Sequence, residues 1–107
     1  MSPTLIVLTT LPDEGTARTL AHELITRRLA ACVQILPPSH SVYRWEDKVE
    51  EEIEIPLQIK TCAARYAELE ALLLAEHPYE VPEIIALPIT NGLPAYLDWV
   101  RAESAPD

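Results

Sequence analysis

Hydrophobic and polar positions change period along this chain, and each change marks an element. The cleanest pattern runs from Val49 to Lys60. Val49, Ile53, Ile55, Leu57 and Ile59 take odd positions, while Glu50, Glu52, Glu54, Gln58 and Lys60 take even ones. Period two over this length predicts a strand with one dry and one wet face. Glu51 and Pro56 are the exceptions, and Pro56 marks a bulge or a stretch without a neighbour. Earlier, Leu5-Ile6-Val7-Leu8 lies between Pro3 and Pro12 and reads as a buried strand. Behind the N-cap candidate Asp13, residues Ala17, Leu20, Ala21, Leu24 and Ile25 recur at helical spacing. Arg27 and Arg28 close that helix where cations are favoured.

Ala31 to Leu36 predicts the next strand, Pro37-Pro38 interrupts it, and Ser41 to Trp45 is a second extended piece. Glu46-Asp47-Lys48 is a turn leading into the alternating strand. A second helix, about Ala64 to Glu76, carries Tyr66, Leu69, Leu72 and Leu73 on one face until Pro78 stops it. Glu83 to Ile89 reads as a buried strand ending before Asn91-Gly92. A last helix, about Pro94 to Ala102, directs Tyr96, Leu97 and Val100 to the body, with Trp99 at its edge.

The order is strand, helix, strand, strand, helix, strand, then a terminal helix. Two strand–helix–strand halves with right-handed crossovers fold into one antiparallel sheet with helices on one face. That is a ferredoxin-like α+β sandwich of βαββαβ order with an extra C-terminal helix, one domain over residues 1–107. The opposite sheet face lacks cover, and the central hairpin is long for so small a domain. Both features predict self-association.

Charge and composition narrow the function. Seventeen acidic against eight basic residues give a net charge of −9, which repels phosphate backbones and argues against nucleic-acid binding. No stretch could span a bilayer, and Met1 to Leu8 has neither a basic lead nor a cleavage site. A cytoplasmic protein without membrane contact is the expectation. Cys32 and Cys62 form neither a disulfide framework nor a zinc signature and are expected as small buried hydrophobes. Two glycines leave no phosphate-cradling loop, and nucleophile elbow, HExxH and cofactor fingerprint are all missing. An enzyme is not expected.

Candidate chemistry concentrates in His77-Pro78-Tyr79-Glu80-Val81-Pro82-Glu83. His77 could ligate a metal through one ring nitrogen, or merely bond the last carbonyls of its helix. Glu76, Glu80 and Glu83 could complete a cation site or form a solvated rim. Tyr43 and Trp45, near the hairpin tip, suit a subunit interface, with a small-molecule site as the other use. Lys60, with Thr61 and Arg44, could hold an anion in a cleft between subunits.

Arg28-Leu29-Ala30-Ala31-Cys32-Val33, Ser41 to Lys48, Lys60-Thr61, His77 to Ile84 and Tyr96-Leu97-Asp98-Trp99 together resemble the CutA divalent-cation-tolerance family, in the family's order. The resemblance implies a ferredoxin-like fold and a tight homotrimer built by strand pairing, similar in architecture to PII-type signalling proteins. It also implies tolerance or binding of divalent cations, particularly copper, and brings no settled enzymatic activity with it. The copper ligands it implies are a Cys at the end of the first strand and two adjacent His before Pro-Tyr. Here those positions hold Thr9, Glu76 and His77. Without the thiolate and one imidazole, the expected site is His77 with Glu76 and Glu80, holding copper or zinc weakly. Tyr43, Trp45, Lys60 and Tyr79 are expected at the interface or its cleft. A small molecule or protein in that cleft is the alternative use.

Overall fold

The computed structural model describes residues 1–106. The chain forms β1 (Thr4–Leu11), α1 (Glu14–Thr26), β2 (Cys32–Ile35), β3 (Ser39–Trp45) and β4 (Lys48–Cys62). A single 3₁₀ turn, Ala63–Arg65, leads into α2 (Tyr66–Glu76), followed by β5 (Ile85–Pro88) and α3 (Pro94–Glu103). The Asp13 carboxylate accepts the Thr16 N–H at 2.7 Å and starts α1 as an N-cap should. Arg28, at φ 57°, reverses the chain after α1. Its guanidinium donates to the Ala102 and Ala105 carbonyls at 2.8 Å each, fastening the end of α3 to the domain. Glu46 and Asp47 (φ 50° and 65°) make the two-residue hairpin turn between Trp45 and Lys48.

The sheet is antiparallel in the order β2-β4-β1-β5, with β3 continuing beyond β2 along β4. That is the ferredoxin-like order. Ile35 stands opposite Leu57 and Ser39 opposite Glu54, so one strand advances four residues while the other advances three. Pro37-Pro38 carries the extra residue. The Leu36 N–H donates to the Pro56 carbonyl at 3.0 Å, so the donor that Pro56 lacks faces this same junction. β4 therefore keeps its proline without losing a bond inside a regular ladder.

α1 and α2 cover one face of the sheet. Val7 and Leu11, Leu20 and Leu24, Leu57 and Ile59, and Leu69 and Leu73 form the core between the layers. The odd face of β4 is dry only beneath these helices. Beyond them Ile53 is 59% exposed and Val49 68%, contrary to the dry face expected along the whole strand. β5 also departs from expectation, since all four of its residues are exposed rather than buried. It is an edge strand paired to β1 on one side only, and Ile84 just before it makes the core contact. α3 crosses one end of the other sheet face, burying Val100 and placing Ser104 Oγ 3.5 Å from Cys62 Sγ. Tyr96 stays exposed, with Lys60 Nζ 5.7 Å from its ring centre, rather than facing the body. Cys32 stands opposite Lys60, so the two cysteines are not cross-strand partners; both are free thiols, Cys62 buried and Cys32 half-buried.

The chain measures 44 × 26 × 23 Å with a radius of gyration of 14.4 Å. A compact domain of this length would have a radius of gyration of about 13 Å. The excess comes from the β3–β4 hairpin, which projects past the helical layer as an arm.

Candidate functional site

Pro78 ends α2 and turns the connector that follows towards the end of β1. His77 is the C-cap of α2, with its own N–H on the Leu73 carbonyl at 2.8 Å. Its ring does not reach back to the helix. Nε2 lies 2.8 Å from the Thr10 carbonyl, and Nδ1 accepts the Tyr79 N–H at 3.2 Å. This pairing requires the neutral tautomer with its proton on Nε2. Burial holds the imidazole below its usual pKa, opposed by the Thr10 carbonyl and the Glu54 charge. The Tyr79 ring packs against it with centroids 4.7 Å apart. His77 is 8% exposed, and both nitrogens are spent on locking the connector to β1.

The other expected ligands diverge from it. Glu76 is exposed and turns to Glu23 on α1, whose hydrogen bond and charge, with some burial, raise its pKa against the opposing pull of Arg27. Glu80 is exposed on the connector. Among the described residues, no three His, Cys, Asp or Glu side chains are gathered closely enough to hold a metal ion. Thr9 points into the core opposite Leu57, 1% exposed, and its hydroxyl has no hydrogen-bond partner among the described residues. A buried unsatisfied hydroxyl costs about 1–3 kcal/mol. Thr9→Val, which keeps the shape, is expected to stabilise the fold by about 1 kcal/mol in urea denaturation; destabilisation would mean that the hydroxyl has a partner.

The structure does assemble a different set. Thr10, Ser41, Tyr43, Glu54, Tyr79 and Glu83 line an open cavity of about 430 Å³ where the arm leaves the domain. The register step at Pro37-Pro38 puts Ser41 and Tyr43 opposite Glu52 and Glu50, on the same face as Glu54. Thr10 Oγ1 donates to Glu54 Oε2 at 3.1 Å. Burial works against the Glu54 charge. The Ser41, Tyr79 and Thr10 hydroxyls, with His77 nearby, outweigh it and hold the carboxyl below its usual pKa. Burial and the same carboxylate push the Tyr79 phenol far above its ordinary value. Tyr43 is raised by burial and by Glu52, Glu50 and Glu54.

Of the four residues expected at a cleft, Tyr43 and Tyr79 share this cavity. Trp45 borders Tyr79 in the adjoining hollow with Glu80 and Val81. Lys60 stands elsewhere, on the sheet face beneath α3, and donates to Gln34 Oε1 at 3.1 Å. Thr10 and Ser41 carry no signal in the sequence, and Glu54 reads there only as one of the wet-face glutamates of the alternating strand. Glu54 sits in a run of exposed glutamates, and the register step that makes it different has no local signature beyond Pro37-Pro38.

Comparison with known proteins points one way. Residues 5–103 match the family model of the CutA1 divalent ion tolerance protein. The divalent-cation tolerance protein CutA of Thermus thermophilus is 49% identical over 96 residues, 90% of this chain and 93% of that protein. The solved divalent cation tolerance protein (Cut A1) of Thermus thermophilus superimposes with a TM-score of 0.93 at 46% identity, covering 95% of this chain and 99% of that one. The solved periplasmic divalent cation tolerance protein CutA of Archaeoglobus fulgidus gives 0.92 at 34% identity, covering 95% and 99%.

Proposed function

The chain belongs to the CutA1 divalent ion tolerance protein family, and from that premise we propose that it is a cytoplasmic homotrimer that binds divalent metal ions such as copper weakly and contributes to the response to metal ions. Family membership supports the cation role. The weakness rests on one observation: the donor set is divided. His77 would have to give up the Tyr79 N–H for Nδ1 to turn to a metal, or the Thr10 carbonyl for Nε2 to do so, and Glu76 is already engaged with Glu23. These residues do not fit a preformed soft-metal centre. Binding falls instead to the exposed carboxylates Glu76 and Glu80, with His77 at most a reluctant partner.

With the Glu76 pKa raised, a divalent ion there competes with its proton, so affinity falls on acidification. Copper calorimetry on the wild type and on Glu76→Gln tests this. Saturable binding, micromolar or weaker and reduced further in the variant, is the expected result. Tight binding, or binding indifferent to Glu76, would overturn it. Glu76→Gln is the cleaner probe because His77→Ala would also release the connector from β1.

What one chain leaves bare supports self-association, which the proposed trimer would supply. Ile85 and Leu87 on β5, and Val42, Val49 and Ile53 on the arm, are about half or more exposed. This apolar surface lies in two places, at the β5 edge and on the arm's continuation of the helix-covered face. Arms laid along neighbouring subunits would cover it. No described helix is long and apolar enough to cross a membrane. The free thiols Cys32 and Cys62 suit a reducing compartment.

A further inference from the structure

Glu54 is a charged carboxylate, 8% exposed, and no lysine or arginine among the described residues pairs with it. Buried charges are ordinarily paired, because removing an ion from water is costly. Arg65, buried as deeply, obeys that rule through Glu68 at 3.0 Å. Around Glu54 the neighbours are hydroxyls, the His77 ring, held neutral by its own hydrogen bonds, and further negative charge. Glu50 and Glu52 continue its face of the strand, and Glu83 stands at the cavity lip. Among the described residues no permanently charged counter-ion stands against it.

We propose that the cleft between the arm and the β1 end binds a small organic cation, a protonated primary amine, with its ammonium on Glu54 and its carbon chain against Tyr43 and Tyr79. The volume of about 430 Å³ is that of a small-molecule site. An ammonium needs one carboxylate plus acceptors, and the Ser41 and Thr10 hydroxyl oxygens provide them. Tyrosine faces add cation–π attraction. A divalent metal fits less well, since no three ligating groups converge here. The hydroxyls that lower the Glu54 pKa keep it charged throughout the neutral range, so it is an anion whenever an amine is protonated. This inference does not depend on the metal reading, which concerns Glu76 and Glu80.

The probe is n-butylammonium, with n-butanol as its neutral match, titrated into the assembled protein at pH 7 and followed by tyrosine NMR shifts. Saturable binding about tenfold or more tighter than butanol is expected, falling to the butanol level in Glu54→Gln. The copper titration should be unchanged in that variant, which separates this site from the metal reading. Should Glu54→Gln fail to fold, the comparison of charged and neutral probes on the wild type decides alone. Tyr43→Leu then supplies the second variant, with weakened but still charge-selective binding expected. Absence of saturation, or equal affinity for the two probes, overturns the proposal. A basic side chain from a second copy sealing the cleft would give that same negative result.

Discussion

Trp45→Ala is expected to lower the melting temperature by roughly 8–16 °C and to weaken the assembly in the same step. Trp45 sits at the end of β3, beside the hairpin turn, and is 39% exposed in a single chain. Its indole borders Tyr79 and Val81 without a core to enter. A large aromatic in that position does little for one isolated subunit. If arms cross between subunits, it becomes a central contact, and such anchors cost about 2 kcal/mol or more when truncated. For a domain of this size each kcal/mol moves the melting temperature by about 4–8 °C. Because assembly stabilises by mass action, the variant's melting temperature should also rise with protein concentration. A variant that melts like the wild type while keeping its mass would place Trp45 outside any interface.

His77→Ala is expected to cost about 2–3 kcal/mol in the folded subunit, read by urea denaturation. The substitution leaves the Thr10 carbonyl without the imidazole and the Tyr79 N–H without its acceptor. It also empties the space against which the Tyr79 ring packs. A pH dependence accompanies the loss. Burial, working against Thr10 and Glu54, places the folded pKa of His77 below 6.5, so the unfolded chain takes up the proton first. Its contribution is therefore complete above about pH 6.5 and declines as pH falls towards the folded pKa. The wild type should lose stability across that window, and the alanine variant should lose less. An equal slope in both proteins would show that the ring is not held neutral in the fold.

The elements of this chain can be read from its sequence because each depends on near neighbours. Asp13 caps the helix it precedes, Pro78 stops the helix it follows, and alternation along β4 sets one face against the other. What depends on distant partners is less accessible. Val49 and Ile53 continue the dry period correctly, yet no helix extends far enough to cover them. Ile84 to Ile89 is as apolar as a core strand, but it lies at the sheet edge beside β1. The same limit applies at the candidate site. His77 stands out as a titratable group next to proline, but its use is decided by the Thr10 carbonyl, 67 positions away in sequence. Glu54 is hidden among like residues, and one extra residue at Pro37-Pro38 brings Ser41 and Tyr43 round to its face. Periodicity carries no record of such a step.

The bare strand β5, the projecting arm and the cleft at its root all make sense in an assembly of three chains. Multi-angle light scattering of the purified, tag-free protein measures this directly. Three chains of 12.0 kDa should elute as one species of about 36 kDa, unchanged on dilution through the micromolar range. A wild type that scatters as a 12.0 kDa monomer would contradict the architecture outright.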